Sequence, residues 1–283
     1  VEVIAAPNAF RAAANLARAR GAQVGFVPTM GALHEGHLSM LRRARVETDH
    51  LVMSVFVNPL QFGPKDDLAA YPRPIERDLE LAADVGCDVV FAPTEHEMYP
   101  EGRPDVTVDP GPVGERLEGA VRPGHFRGVL TVVAKLLHLV GPSRAYFGDK
   151  DAQQLALVRR MVAQLDFPID VVGCTTVRDA DGLALSSRNA RLTPDERRAA
   201  LSLSQALQGA VALSAAGERS LHVLTEVMRQ RIDAEPLATL DYATVVEDRT
   251  WDEPDPVHPP ARAVVAARFG STRLIDNALL PHE

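Results

Sequence analysis

The chain has 283 residues, which at about 150 residues per domain points to two domains. Hydrophobic residues at 46% and charged residues at 24% argue against disorder, and 19 Gly with 21 Pro exclude a collagen-like or low-complexity chain. The net charge of −8 disfavours a nucleic-acid or anionic-membrane binder, which recruits phosphate with a basic face, but leaves a small anionic substrate open.

In chain order, the first helix is expected over 8–20, with Asn8 as N-cap and Gly21 just beyond the end. An apolar run at 24–28 precedes a Gly-containing loop and a helical pattern carried by Leu38, Leu41 and Ala44. The Val-rich run 50–57 reads as a strand, 74–85 as an amphipathic helix ended by Gly86, and 89–92 as another strand. A helix over 129–140, a strand at 145–147, a helix over 152–165 and a strand at 169–174 follow. Short β-branched runs separated by helices call for parallel strands with right-handed crossovers, an α/β fold with an open, doubly wound, Rossmann-like sheet. Cys87 and Cys174 lie far apart beside Val pairs and read as buried free thiols, which fits a reducing compartment. The N-terminus carries no basic-then-apolar signal, and 129–140 is too short and polar to span a bilayer, so a cytoplasmic protein is expected.

After about Val177 the order changes. Thr193-Pro194-Asp195-Glu196 is a capping box with Pro at the first helical position, opening a helix to about Leu213; a second helix covers 220–234. Strand-like runs follow at 241–247, 263–269 and 272–275, separated by the Pro-rich loop 254–260 and by Gly270-Ser271. Helices followed by strands make a small α+β unit. The domains are therefore expected at 1–175 and 176–283.

Four segments carry candidate chemistry. Met30-Gly31-Ala32-Leu33-His34-Glu35-Gly36-His37 follows the first central strand and opens a helix, where free N–H groups and two imidazoles on one face suit a polyphosphate. Gly36, lacking Cβ, lets a bulky group approach the backbone. A pair of surface histidines is the bland alternative, and a metal pair lacks a nearby third ligand. Gly148-Asp149-Lys150-Asp151-Ala152-Gln153-Gln154 follows another strand; Lys150 offers a compact cation, Asp151 an N-cap, and Gln154 an amide on the same face. In Ser186-Ser187-Arg188-Asn189, at the domain junction, two hydroxyls and a guanidinium can donate to phosphate, although such a loop is commonly a solvated linker. Gln61 beside Phe62 sets an amide in an apolar surrounding, with turn chemistry from Asn58-Pro59 as the plainer reading. No P-loop, dinucleotide G-x-G-x-x-G or G-x-S-x-G motif is present, and the single Trp251 gives no stacking platform for single strands.

Taken in order, these segments resemble the pantothenate synthetases (pantoate–β-alanine ligases), H-x-G-H relatives of the nucleotidyltransferases. The likeness runs through Pro28-Thr29-Met30-Gly31-Ala32-Leu33-His34-x-Gly36-His37, Phe56-Val57-Asn58-Pro59-x-Gln61-Phe62, Tyr71-Pro72-Arg73 and Arg122-Pro123-Gly124-His125-Phe126-Arg127-Gly128-Val129. It continues in Phe147-Gly148-x-Lys150-Asp151-x-Gln153-Gln154 and Arg178-x-x-Asp181-Gly182-Leu183-Ala184-x-Ser186-Ser187-Arg188-Asn189. Ala152 and Leu185 stand where the family usually has Tyr and Met.

The resemblance implies ATP-dependent joining of (R)-pantoate to β-alanine through pantoyl adenylate, releasing pyrophosphate and AMP, in pantothenate and coenzyme A biosynthesis. It implies that Met30, Gly31, Ala32, Leu33, His34, Glu35, Gly36 and His37 hold ATP, with His37 as proton donor. It further implies that His34, Lys150, Ser186, Ser187 and Arg188 stabilise the phosphates. By the same resemblance, Gly148, Asp149, Lys150, Asp151, Val177 and Leu185 contact the nucleotide, and Gln61 and Gln154 bind pantoate or β-alanine. Mg²⁺ would accompany ATP, with Asp78 as a protein candidate, and the C-terminal domain would act as a lid in a homodimer. A related nucleotidyltransferase and a non-enzymatic nucleotide-binding regulator are the rival readings; the acceptor-side Gln61 and Gln154 would have no task in the second.

Overall fold

The computed structural model describes residues 1–63, 68–69 and 71–281. The chain divides into two compact units, 1–149 with 153–175, and 150–152 with 176–283.

The first unit is built on six strands: β1 (Glu2–Ile4), β2 (Val24–Thr29), β3 (His50–Val55), β4 (Val89–Phe91), β5 (Ser143–Gly148) and β6 (Ile169–Cys174). Their order is β1-β4-β3-β2-β5-β6 and every neighbouring pair is parallel. The connecting helices are α1 (Pro7–Ala19), α2 (Glu35–Glu47), α3 (Ile75–Asp84), α4 (Glu95–Met98), α5 (Glu118–Val121), α6 (His125–Val140) and α7 (Ala152–Gln164). Val27, Leu41, Met53, Val90 and Tyr146 share one buried cluster, which explains why β2–β5 read as nearly continuous apolar runs: both faces of a parallel sheet are covered. Beneath α1, the Phe10 and Phe91 rings stack at 4.5 Å.

From β2 the chain steps outward to β3 and β4, then returns to place β5 and β6 on the other side of β2. The strand order therefore reverses between β2 and β5, and ligands of open α/β sheets bind outside the carboxyl ends of the strands at such a switch point. The segments leaving those two ends are 30–34 and 149–151.

The second unit packs α8 (Pro194–Ala215) and α9 (Leu221–Asp233) against an antiparallel sheet of β7 (Ala238–Glu247), β8 (Ala261–Phe269) and β9 (Thr272–Leu279), in that order. Leu203, Leu207, Met228, Val245, Val265 and Phe269 belong to its buried cluster. The Thr193 hydroxyl accepts the Glu196 N–H and Glu196 returns the bond to Thr193, a reciprocal cap at the start of α8.

The elements depart from the sequence expectations in instructive places. Helix α1 starts at Pro7 with Ala6 as N-cap, so Asn8 lies inside the helix and does not cap it; proline at N1 gives up only an N–H the first turn leaves unused. Helix α6 begins at His125, earlier than 129, after Gly124 at φ +80° turns the chain into it. Strand β9 continues past Ile275 through Asp276 and Asn277, polar residues that are buried at 3% and 6% exposure. They are tolerated because Arg178 makes a two-pronged pair with Asp276, and Arg262 donates to Asn277. Strand β1 at the sheet edge and the short α4 and α5 were not anticipated. Among the described residues, no helix is long and apolar enough to cross a membrane.

Candidate active site

The loop between β2 and α2 is held from three directions. Thr29 Oγ1 donates to Ser54 O at 2.8 Å and accepts the Gly31 N–H at 3.1 Å. Gly31 and Ala32 both take positive φ, +81° and 52°, and a Cβ on Gly31 would lie 2.8 Å from Asp78 Oδ2. Asp78, 1% exposed, accepts the Ala32 N–H on Oδ2 and the Leu33 N–H on Oδ1, both at 2.8 Å.

The loop delivers the chain to His34, the N-cap of α2. His34 Nδ1 accepts the Gly36 N–H at 3.1 Å, and His37 Nδ1 accepts the His34 N–H at 3.3 Å. The imidazoles thus do the work that Ser and Glu do in an ordinary capping box. Their ring centroids are 4.1 Å apart. Because a backbone N–H can only donate, both Nδ1 atoms are acceptors, and the neutral rings carry their protons on Nε2. The helix start therefore presents two oriented N–H donors.

After β3, a 3-10 turn, Pro59–Gln61, is capped by Asn58. Asn58 Nδ2 donates to Gln61 Oε1 and Gly128 O, both at 3.1 Å, and Gln61 Nε2 donates to Met30 Sδ at 3.1 Å. His125 Nδ1 lies 2.9 Å from Gln61 O. The turn sits directly on α6: a Cβ on Gly128 would come within 2.3 Å of Leu60 O, so only glycine allows this approach. The structure thus joins Met30 and Gln61, from two of the four candidate segments.

The third segment leaves β5 as a 3-10 turn, Asp149–Asp151, that runs into α7. Asp151, the N-cap candidate, is the last residue of that turn and directly precedes α7. Lys150 has no ion pair among the described residues, and its carbonyl accepts the Asn277 Nδ2 bond at 2.9 Å. Gln153 is 5% exposed and its amide is committed to Glu118 N, Val113 O and Arg116 O; Gln154 is only half-buried. Ala152 is buried.

The fourth segment is a folded turn. Leu185 N donates to Val177 O at 3.0 Å, Arg178 bridges Ala184, and Gly182 takes φ +93°. Ser186 then caps the 3-10 turn Ser187–Arg191 by accepting the Arg188 N–H at 3.2 Å. Asn189 Nδ2 donates back to Ala184 O, so the segment is internally hydrogen-bonded and more than a solvated linker. Arg188 is exposed, with no ion pair among the described residues.

Asp78, the protein candidate for Mg²⁺, uses both carboxylate oxygens to hold the loop backbone. Among the described residues, no group of three or more His, Cys, Asp or Glu could hold a metal ion. Both cysteines are free and buried, and desolvation pushes the Cys87 thiol up to about 12, which leaves it inert. Sequence reasoning missed Asp78 as the loop's anchor and Tyr99 behind Gln61; Asp78 holds residues 45 and 46 positions away, and Tyr99 one 41 positions away along the chain.

This arrangement defines a class: a Rossmann-like α/β protein whose switch-point loop opens a helix capped by two imidazoles. Within that class the chain belongs to the pantoate-beta-alanine ligase family, whose model matches residues 2–279. It is 53% identical to the pantothenate synthetase of Roseiflexus castenholzii over 280 residues, 99% of each chain, and 50% identical to that of Rubrobacter xylanophilus over 286 residues, covering 99% of this chain and 98% of the relative. The crystal structure of pantothenate synthetase from Thermus thermophilus superposes with a TM-score of 0.92 at 47% identity, covering 99% of this chain and 100% of that one. The pantoate-beta-alanine ligase of Francisella tularensis, solved in complex with beta-gamma ATP and beta-alanine, matches with a TM-score of 0.80 at 33% identity, covering 99% and 97%.

Proposed function

We propose that this chain condenses (R)-pantoate with β-alanine to give pantothenate, consuming ATP and releasing AMP and pyrophosphate. A pantoate carboxylate oxygen attacks the α-phosphorus and pyrophosphate leaves, forming pantoyl adenylate. The β-alanine amine then attacks the acyl carbon and AMP leaves. The observation that carries this reading is the pair of imidazoles at the start of α2, both locked with Nδ1 as acceptor and Nε2–H as donor. Such fixed donors stabilise charge that develops on phosphate oxygens without reorganising during the step.

Residues Met30 to His37 line the nucleotide side, with Gly148 to Asp151, Val177 and Leu185 as further nucleotide contacts. His37 donates to the phosphates as charge builds, assisted by His34, and Lys150, Ser186, Ser187 and Arg188 neutralise the departing pyrophosphate. Gln61 and Gln154 hold pantoate, and Gln61 also meets β-alanine. Magnesium enters as part of the substrate, carried by triphosphate oxygens and water. The two free, buried cysteines support a reducing, cytoplasmic setting; a homodimer is the assembly that the family resemblance favours. The test is mass spectrometry of products from ATP, Mg²⁺, pantoate and β-alanine, each omitted in turn. Pantothenate and AMP are expected only from the complete mixture; ADP as the nucleotide product would refute the reading.

A further inference from the structure

Behind Gln61 lies a buried chain of side chains that the reaction scheme above does not use. Tyr99, at the end of α4, is 6% exposed; its ring meets Phe56 at a centroid distance of 6.0 Å and the Lys135 ammonium lies over it, 5.1 Å from the ring centre. Its hydroxyl lies 2.9 Å from Asn58 Oδ1. Asn58 is 1% exposed.

The direction of every bond in this chain follows from its fixed ends. Gly128 O is a carbonyl and can only accept, so the Asn58 atom facing it at 3.1 Å is the amide nitrogen. Leu60 N–H can only donate, so the atom facing it at 3.3 Å is Oδ1. Tyr99 must then donate its proton to Oδ1, and burial, which raises the phenol above its ordinary range, keeps that proton in place. Asn58 now has both amide hydrogens and both carbonyl lone pairs engaged. Its second hydrogen points at Gln61, and the atom that receives it is Oε1. Gln61 Nε2 is left on the opposite side against Met30 Sδ, a weak acceptor that an anionic oxygen can displace.

We propose that Tyr99 is a positioning residue for the acceptor site: acting through Asn58, its hydroxyl fixes the Gln61 amide so that Nε2, and not Oε1, is offered to a substrate carboxylate or hydroxyl. The Tyr99 bond is the shortest of the four that hold Asn58, and it ties the amide to the residue that ends α4, where the others tie it to the neighbouring turn and to α6. Without it the Asn58 oxygen keeps only the longer Leu60 bond, and the Gln61 amide gains freedom to tilt or exchange its two ends.

This inference rests on the assignment of Gln61 to pantoate, and the experiment separates the two. Turnover of the unsubstituted protein is measured first; absence of pantothenate there rejects the functional reading itself. Tyr99→Phe retains the ring, its contact with Phe56 and the cation above it, and removes only the hydroxyl. The expected result is a rise of about five- to tenfold in KM for pantoate, the loss of one buried hydrogen bond, with KM for ATP unchanged. In a Gln61→Ala background the same substitution is expected to add nothing, because the group it acts through has gone. An unchanged pantoate KM in Tyr99→Phe, or an equal rise in both backgrounds, would overturn the positioning role.

Discussion

His34 and His37 each place Nδ1 under a backbone N–H, and that choice decides what the rings offer a ligand. Protonation of Nδ1 would break the cap, so the side chains that cap α2 are held in the tautomer with the proton on Nε2. The expected consequence is separable: His37→Ala should lower pantothenate formation by about a hundredfold or more, as loss of a preorganised donor does, while costing about 1 kcal/mol of stability for the lost cap. Wild-type kcat/KM in that variant, or a loss of activity matched by unfolding at the assay temperature, would sink this role. The histidines were legible because an H-x-x-H spacing after a strand puts both rings at one helix start. Asp78 was legible only as a charge. Its clamp on Ala32 and Leu33 joins residues 45 and 46 positions apart, and no local pattern announces it.

At the scale of elements, α2 is tied to the sheet through Glu47. Tyr146 on β5 donates to Glu47 Oε2 at 3.0 Å, Arg43 donates to Oε1 at 2.9 Å, and Arg144 pairs with Oε2 at 2.9 Å. The hydrogen bond from Arg43, together with those of Tyr146 and the charge of Arg144, holds the carboxyl below its ordinary value near 4.5. A carboxyl depressed in the folded state stabilises it at pH values above its unfolded pKa, and that contribution disappears as pH falls through the folded pKa. Glu47→Gln is therefore expected to lower the thermal midpoint at about pH 7, with the gap to the parent closing as pH drops below about 4. A gap that stays constant over that range would show that Glu47 acts by packing alone. The elements themselves were readable where hydrophobic period and caps agree, as at α8 behind Thr193-Pro194-Asp195-Glu196. They were misread where burial is polar: Asp276 and Asn277 ended the apolar run of β9 on paper, but Arg178 and Arg262 carry the strand onward.

For the whole molecule, the strand order reverses between β2 and β5, so the loop of His34 and His37 and the turn that opens at Asp149 leave the ends of adjacent strands. The net charge of −8 gives no hint of this, because it is a sum over a surface. Many arginines, among them Arg178, Arg197 and Arg262, are matched by carboxylates, whereas Lys150 and Arg188 have no ion pair among the described residues. The parallel sheet was readable from alternating short strands and helices; the helix-then-strand order after residue 177 marked the second unit. In the proposed reaction the pantoate carboxylate attacks the α-phosphorus. Pantoate labelled with ¹⁸O in its carboxylate, turned over with ATP and β-alanine, tests it directly. One labelled oxygen in each AMP is the expected result, because the oxygen that bridges acyl carbon and phosphorus leaves with the nucleotide. Label in inorganic phosphate alongside ADP, or AMP without label, would contradict it.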